Sequence, residues 1–408
     1  MQENPATEDS FERARKAFFE TGGTRSKANA PSIEFPKPRN ERLVRAARNS
    51  GVNDYSGVLL SSDTEIRQLR EISGRLMQQD ETMLDPEFFI ATLSKGWRPR
   101  VVVVTRARDV VGIMYTKERI ISGIPTGIAY ADGSLGGFML GSPLYRQAAF
   151  RVAVETLLSS RRIRGIWLRV LRYSGELEAV RQLVRSRSVD VQYSLIEHND
   201  SPLWKYHAHL PMAHTYDRFL NGLGSATRHN FRYYRRRFER SGHRFIELLS
   251  VDELRSAVLD LVCKSDFTAQ WQRADIERSL NMVTAASRPL AVGLKHRNGE
   301  WLGVIGGWYR PHGAVLYFQC NNERAFGADS LSVVLRAYLI ELLIQQGLEE
   351  LVIWADTGPP LSRYVSYTPT VGIRLDVPTY SWRVARSLIS TIASHLPRRL
   401  AAVGQWIA

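Results

Sequence analysis

Residues 313–355 read GAVLYFQCNNERAFGADSLSVVLRAYLIELLIQQGLEELVIWA. The pattern predicts a strand over 314–320, a loop, a helix from about 330 to 346, and a returning strand over 350–355. A strand that runs through a loop into a helix makes a seat for an anion. The first helical turn exposes unpaired N–H groups and the positive end of the helix dipole. Within the loop, Arg324 can pair with a phosphate, Gly327 lets the backbone come close, and Ser330 can cap the helix. The same residues also suit an ordinary helix start.

Working outward, the same order recurs near the middle of the chain. A strand is expected over 127–131, then a loop with Gly133, Gly136, Gly137 and Gly141, a helix over 143–159 and a strand over 165–170. A two-strand hairpin precedes each block, 98–106 with 110–117 and 289–297 with 301–309. In the second hairpin Asn298-Gly299 is a strong turn signal, since both tolerate the positive φ of a type I′ turn. Helices are expected over 63–79, 85–93 and 252–285, with a basic helix over 227–242. Matching order and length predict a duplicated unit. The expected partition is a tail (1–54), a first domain (55–210), a second domain with the donor site (211–380) and a basic amphipathic helix (381–408).

The chain has 408 residues, of which 44% are hydrophobic and 24% charged, so it can bury a real core. Its net charge of +14 favours anionic partners. Cys263 and Cys320 have no CxxC spacing, so they read as reduced thiols, and no metal is expected. His207 and His209 alternate in a strand and read as a surface pair. Residues 1–9 are polar and acidic, and no apolar run reaches the ~18 residues of a membrane span. The expected location is the cytoplasm, peripheral to the inner membrane face at most. The contact would come from 381–408, where Trp382, Leu388, Ile389, Ile392 and Leu396 form a stripe beside Arg383, Arg386, Arg398 and Arg399. Packing of that stripe on the second domain is the alternative.

Hairpin, central strand, Arg324-x-x-Gly327 loop, helix and exit strand resemble the core of the GNAT acetyltransferases. Their pyrophosphate loop reads Gln/Arg-x-x-Gly-x-Gly/Ala, and Asp329 stands where that family has a small residue. Over about 58–378 the chain is similar to the CelD-like or BioF2-like acyltransferases, relatives of the Fem-type aminoacyltransferases. It carries Asp329-Ser330-Leu331 where that family has Ser-Pro-Gly. Gly358 to Tyr364 replaces its Gly-x-x-x-Tyr-Lys.

The resemblance implies an α/β (α+β) fold of two tandem GNAT-like domains with mixed central sheets. It implies transfer of an acetyl or longer acyl group from acyl-CoA to an amine or hydroxyl of a sugar, glycan or lipid precursor. Phe318, Cys320, Arg324, Gly327, Ala328 and Ser330 would hold the donor. Asp356, Glu323 and Tyr364 (or Tyr367) would move protons. Arg228, Arg232 and Arg235 on the basic helix would bind the acceptor. Two further readings stay open: a Fem-like transferase that takes aminoacyl-tRNA, and a binding module with a decayed site. A Fem-like chain would bring a long helical hairpin that is not legible here, so RNA is not the expected partner.

Overall fold

The computed structural model describes residues 54–76, 84–93, 96–121, 123–133, 135, 137–141, 144–160, 162–172, 175–185, 190–196, 207–262, 264, 273–322, 326, 329–354, 357, 360–367, 370–377 and positions 384, 387, 388 and 391. The expected tail and C-terminal helix lie outside them except at a few positions.

The chain opens on β1 (Tyr55–Leu60) and three short helices, α1 (Asp63–Arg67), α2 (Arg70–Leu76) and α3 (Pro86–Ala91). Ser62 and Glu65 form a capping box at α1, and Asp85 caps α3 with Pro86 in its first turn. Next come β2 (Trp97–Arg106), β3 (Asp109–Ile121), β4 (Ile124–Asp132), β5 (Met139–Gly141), α4 (Arg146–Ser159), β6 (Gly165–Leu171), α5 (Gly175–Arg185) and β7 (Asp190–Ile196). The second half begins with β8 (Ala208–Pro211), α6 (Tyr216–Gly222), α7 (Ser225–Arg240), β9 (Arg244–Ile246), α8 (Val251–Val262) and α9 (Arg273–Ala285). It continues through β10 (Pro289–Lys295), β11 (Trp301–Arg310), β12 (Gly313–Asn321), α10 (Leu331–Gln345), β13 (Glu350–Ile353), β14 (Ser366–Tyr367) and β15 (Thr370–Asp376).

Two mixed sheets form. The first runs β1-β2-β3-β4-β6-β15-β7, with β5 paired to β3; the second runs β9-β10-β11-β12-β13-β8-β14. Read in these directions the two sheets repeat one another. The pairs β2/β3 and β3/β4 are antiparallel, β4/β6 is parallel and β6/β15 antiparallel. The corresponding pairs β10/β11, β11/β12, β12/β13 and β13/β8 have the same senses. The duplication expected from the sequence is therefore a duplication of topology.

The halves are not contiguous segments, which corrects the simple partition at 210. β15 follows all of sheet 2 in sequence yet inserts between β6 and β7 of sheet 1, in register with each over seven residues. Its Ile373 and Leu375 are buried in the first core with α4 and α5. β8 begins at residue 208 and already belongs to sheet 2. In sheet 2, α7 and α10 cover one face and α8 and α9 the other.

Sheet 1 holds a buried charge cluster. Glu118, fully buried, accepts from Arg98 at 2.7 Å, Arg100 at 2.9 Å and the Gly127 N–H at 2.9 Å. The histidines also differ from expectation. His207 is buried against Trp354, with ring centroids 4.3 Å apart. His209 pairs with Glu350 at 2.8 Å. Alternation put both on one face, but that face meets other structure rather than water.

Burial pushes the His207 pKa down to about 4. The unfolded chain takes up its proton near pH 6.5, the folded chain only near 4. Stability should therefore be full above pH 6.5 and fall as the pH drops toward 4, by about 3 kcal/mol over that window. Urea denaturation of wild type and His207→Phe at pH 7 and 4.5 checks this. The variant should lose clearly less stability between the two pH values.

Candidate functional site

The two sheets differ at their parallel pairs. In sheet 1 the parallel pair stays closed: β4 and β6 keep register from Ile128↔Gly165 to Asp132↔Arg169, and the Gly133 N–H still bonds to the Arg169 carbonyl at 2.7 Å. In sheet 2 the register of β12 with β13 ends at Leu316↔Ile353. One more bond, Trp354 N–H to the Leu316 carbonyl at 2.8 Å, closes the pairing. β12 runs on to Asn321 with β11 alone beside it among the described residues. Tyr317–Asn321 thus carries β12 five residues past the end of its register with β13, at the centre of a sheet.

A bulge sets up the split. Gly306 faces Phe318 and Gly307 faces Leu316, which leaves Tyr317 as an extra residue. The approach is so close that a Cβ on Gly307 would lie 1.8 Å from the Val315 carbonyl oxygen, so only glycine fits. Beyond the bulge, Phe318 and Cys320 pack with α8 and α9 in an apolar core.

The walls of the split are unlike. On one side stand Tyr317 and Trp354, edge to face at 5.1 Å, backed by Trp308. On the other, Arg336 reaches out of α10. Its Nε donates to Gln319 Oε1 at 3.0 Å and its Nη1 to Thr357 Oγ1 at 2.9 Å. Gln319 Nε2 in turn donates to Asn321 Oδ1 at 3.3 Å, which fixes the amide with its oxygen toward Arg336. In sheet 1, burial pushes the Lys117 ammonium down to about 8, with Asp132 pulling the other way. It sits 5.0 Å from the Trp97 ring centroid.

Of the residues predicted from sequence, Glu323, Arg324, Gly327, Ala328 and Asp356 lie outside the described residues. Phe318 and Cys320 are buried, so any contact they make in the split is through their backbone. This burial rules out a nucleophilic role for the Cys320 thiol. Ser330 stands at the start of α10 but makes no capping bond, which corrects that expectation. Its backbone is left-handed (φ 47°, ψ 50°), which leaves the side chain off the first-turn N–H groups. Asp329 is neutralised by Arg237 of α7 at 2.8 Å, so it does not confront an anion at that helix start as a bare charge.

Tyr364 is engaged elsewhere. Its hydroxyl accepts from the Gly224 N–H at 2.8 Å, where α7 begins without a side-chain cap, and contacts Thr227 Oγ1 at 3.5 Å. These bonds lower its pKa, Thr227 first. Arg235 is held between Glu239 at 3.0 Å and Glu341 at 2.6 Å, over the Tyr338 ring at 4.4 Å. It joins α7 to α10 rather than facing a pocket. Arg228 and Arg232 line a groove of about 600 Å³ along α7, with Arg236 and Arg240 one and two turns on. That groove is not the split. Sequence reading missed Arg336, Gln319 and Thr357. The available signal was an arginine inside the apolar run of 331–344.

The strain at Ser330 gives a prediction. A non-glycine residue in this region costs about 1–2 kcal/mol. Because no cap is lost, Ser330→Gly should raise stability by about 0.5–1 kcal/mol in thermal or urea unfolding. A loss of stability would contradict the left-handed assignment.

Among the described residues no cluster of His, Cys, Asp or Glu is arranged to hold a metal ion, and no helix is long and apolar enough to cross a membrane. No family model and no curated protein matches the chain. Solved structures do. FemX is 9% identical over 79% of this chain and 97% of its own, with a TM-score of 0.53. A conserved protein of unknown function from Bacteroides thetaiotaomicron is 11% identical over 78% and 100%, with a TM-score of 0.51. A tandem GNAT protein from the clavulanic acid pathway aligns over 79% and 98%, at 12% identity and a TM-score of 0.42. With the repeated strand order, the likenesses to FemX and the Bacteroides protein show a shared fold of two mixed α/β units of one topology.

Proposed function

We propose that the protein is an acyltransferase and that the split of sheet 2 holds its thioester donor. The observation that carries this is a difference between two sheets of one topology: β4 ends with its pairing to β6, whereas β12 runs on past the end of its pairing with β13. A strand that outruns its neighbour can present backbone N–H and C=O groups to a pantetheine-like chain lying along it. α10 starts close by with its first-turn N–H groups uncapped, which suits the donor's phosphates. On this reading Arg324 and Gly327 complete the phosphate seat.

The reaction is a direct transfer. The acceptor nitrogen or oxygen attacks the thioester carbonyl carbon. The oxyanion that forms is met by a backbone N–H where β12 and β13 part. It collapses, the C–S bond breaks, and the thiolate leaves with the electron pair. The acceptor's proton must go to a base and the thiolate must receive a proton. Asp356 remains the candidate base from the sequence. We carry over a sugar, glycan or lipid precursor as the acceptor, by analogy with the CelD-like family.

A second reading has an observation of its own. Arg228, Arg232, Arg236 and Arg240 recur every four residues along α7, about 6 Å apart. That stripe suits a nucleic-acid backbone, as a Fem-like aminoacyl-tRNA donor would need. Calorimetric titration of the full chain with acetyl-CoA, palmitoyl-CoA and tRNA separates the readings. The acyltransferase reading expects saturable binding of a CoA thioester and no tight binding of tRNA. The reverse result would replace it with the second.

A further inference from the structure

Among the described residues Arg336 is a charged side chain placed across the split, and its surroundings are unusual for a cation. It rises from a helix whose neighbouring positions Val334, Leu335, Ala337, Leu339 and Ile340 are all buried. It lies deep in the protein and is still partly reached by solvent, as a cleft-lining group would be. No carboxylate among the described residues pairs with it. Its two bonds go to the neutral oxygens of Gln319 and Thr357. These oxygens orient the guanidinium without cancelling its charge, and burial lowers its pKa. A guanidinium has five N–H donors. The two bonds use the one on Nε and one on Nη1, so three are left over, one on Nη1 and two on Nη2.

For stability alone this position favours an apolar side chain, since a desolvated charge is costly unless it is paired. Elsewhere the protein pairs its buried arginines. Arg98 and Arg100 share Glu118, and Arg374 has Asp376 at 3.0 Å. Among the described residues no carboxylate of the protein meets Arg336, so an anion that enters the split would find its remaining donors.

We propose that Arg336 recognises a carboxylate on the substrate, held beside the thioester carbonyl by charge-assisted hydrogen bonds. A carboxylate fits better than a phosphate here. The donor's phosphates belong at the start of α10, whereas Arg336 bridges the strands where the acyl end would lie. The carboxylate comes either from the acyl group, as in a dicarboxylic acid monothioester, or from the acceptor. Gln319 and Thr357 act as positioning residues that hold the guanidinium plane across the opening. This inference rests on the split being the donor cleft.

The test is calorimetry on the full chain, wild type and Arg336→Gln, with CoA, acetyl-CoA, succinyl-CoA, and free succinate added to the CoA-loaded protein. Thermal unfolding of both proteins checks that they fold. The acyl source predicts succinyl-CoA binding about ten-fold or more tighter than acetyl-CoA in wild type, with the preference gone in the variant. The acceptor source predicts equal thioesters, with succinate binding only to the CoA-loaded wild type. CoA binding without any carboxylate preference would overturn the role of Arg336 and leave the cleft standing. An equal loss of CoA and both thioesters in a folded variant would also overturn it, in favour of a brace between the strands. No binding of CoA or either thioester to wild type would overturn the donor reading itself.

Discussion

A chain that ends at Tyr367 should not fold. β15 would be missing, and β15 is an interior strand of sheet 1, not an appendage. It bonds to β6 on one side and β7 on the other, seven residues in register with each. Removing it detaches β7 from the sheet and leaves the edge of β6 open. It also uncovers the first core where Ile373 and Leu375 are buried at 1% and 0% exposure. Each of those side chains contributes about 1.5–3 kcal/mol by burial alone. With the lost strand pairing, the sum reaches the total net stability of about 5–15 kcal/mol typical of a domain. For the same reason residues 54–210 expressed alone should be unfolded. Far-UV circular dichroism and urea titration decide the matter. Neither fragment should show a cooperative transition, and a wild-type midpoint for either would contradict the strand exchange.

Glu118→Ala is expected to cost about 3–5 kcal/mol. The carboxylate is fully buried and is shared by two guanidinium groups and a backbone N–H. Alanine leaves Arg100, 5% exposed, without its anion, and frees the Gly127 N–H as well. The penalty is that of a buried uncompensated charge, not the net worth of the ion pair. Replacing Glu118 by Leu together with Arg98 and Arg100 by Met should therefore recover much of the loss. A loss below about 1 kcal/mol in Glu118→Ala would mean that water reaches the arginines.

Local pattern made most of the second half legible. The hairpin expected over 289–297 and 301–309 is β10 and β11, with bounds shifted by a residue or two. Its turn is of another type. Gly299 has φ 92°, but Asn298 does not have positive φ. The Gly299 N–H bonds to the His296 carbonyl, and the Asn298 side chain accepts from the Glu300 N–H, so the turn closes with a glycine bulge. The helix expected over 63–79 is two helices, because the chain turns at Gln68 before Arg70.

What stayed hidden was non-local. Nothing between 370 and 376 says that this strand joins one two hundred residues upstream. Only the unsatisfied edge of β6 calls for it. The candidate site behaved likewise. Arg336 appeared as an interruption in an apolar helix until the split brought Gln319 and Thr357 to it. Gly306-Gly307 inside a strand was the available hint of a bulge. Tyr364 and Arg235 were plausible for chemistry by type, yet the fold spends them on holding α7 in place.

On this account the donor enters where β12 and β13 of sheet 2 part, and not at β4 and β6 of sheet 1. Backbone hydrogen exchange with and without saturating CoA tests it most directly. The prediction is slowed exchange at Tyr317–Asn321 and in the first turn of α10, with no change at Ile128–Asp132. Protection at Ile128–Asp132 instead, or none at Tyr317–Asn321 once CoA is bound, would contradict it.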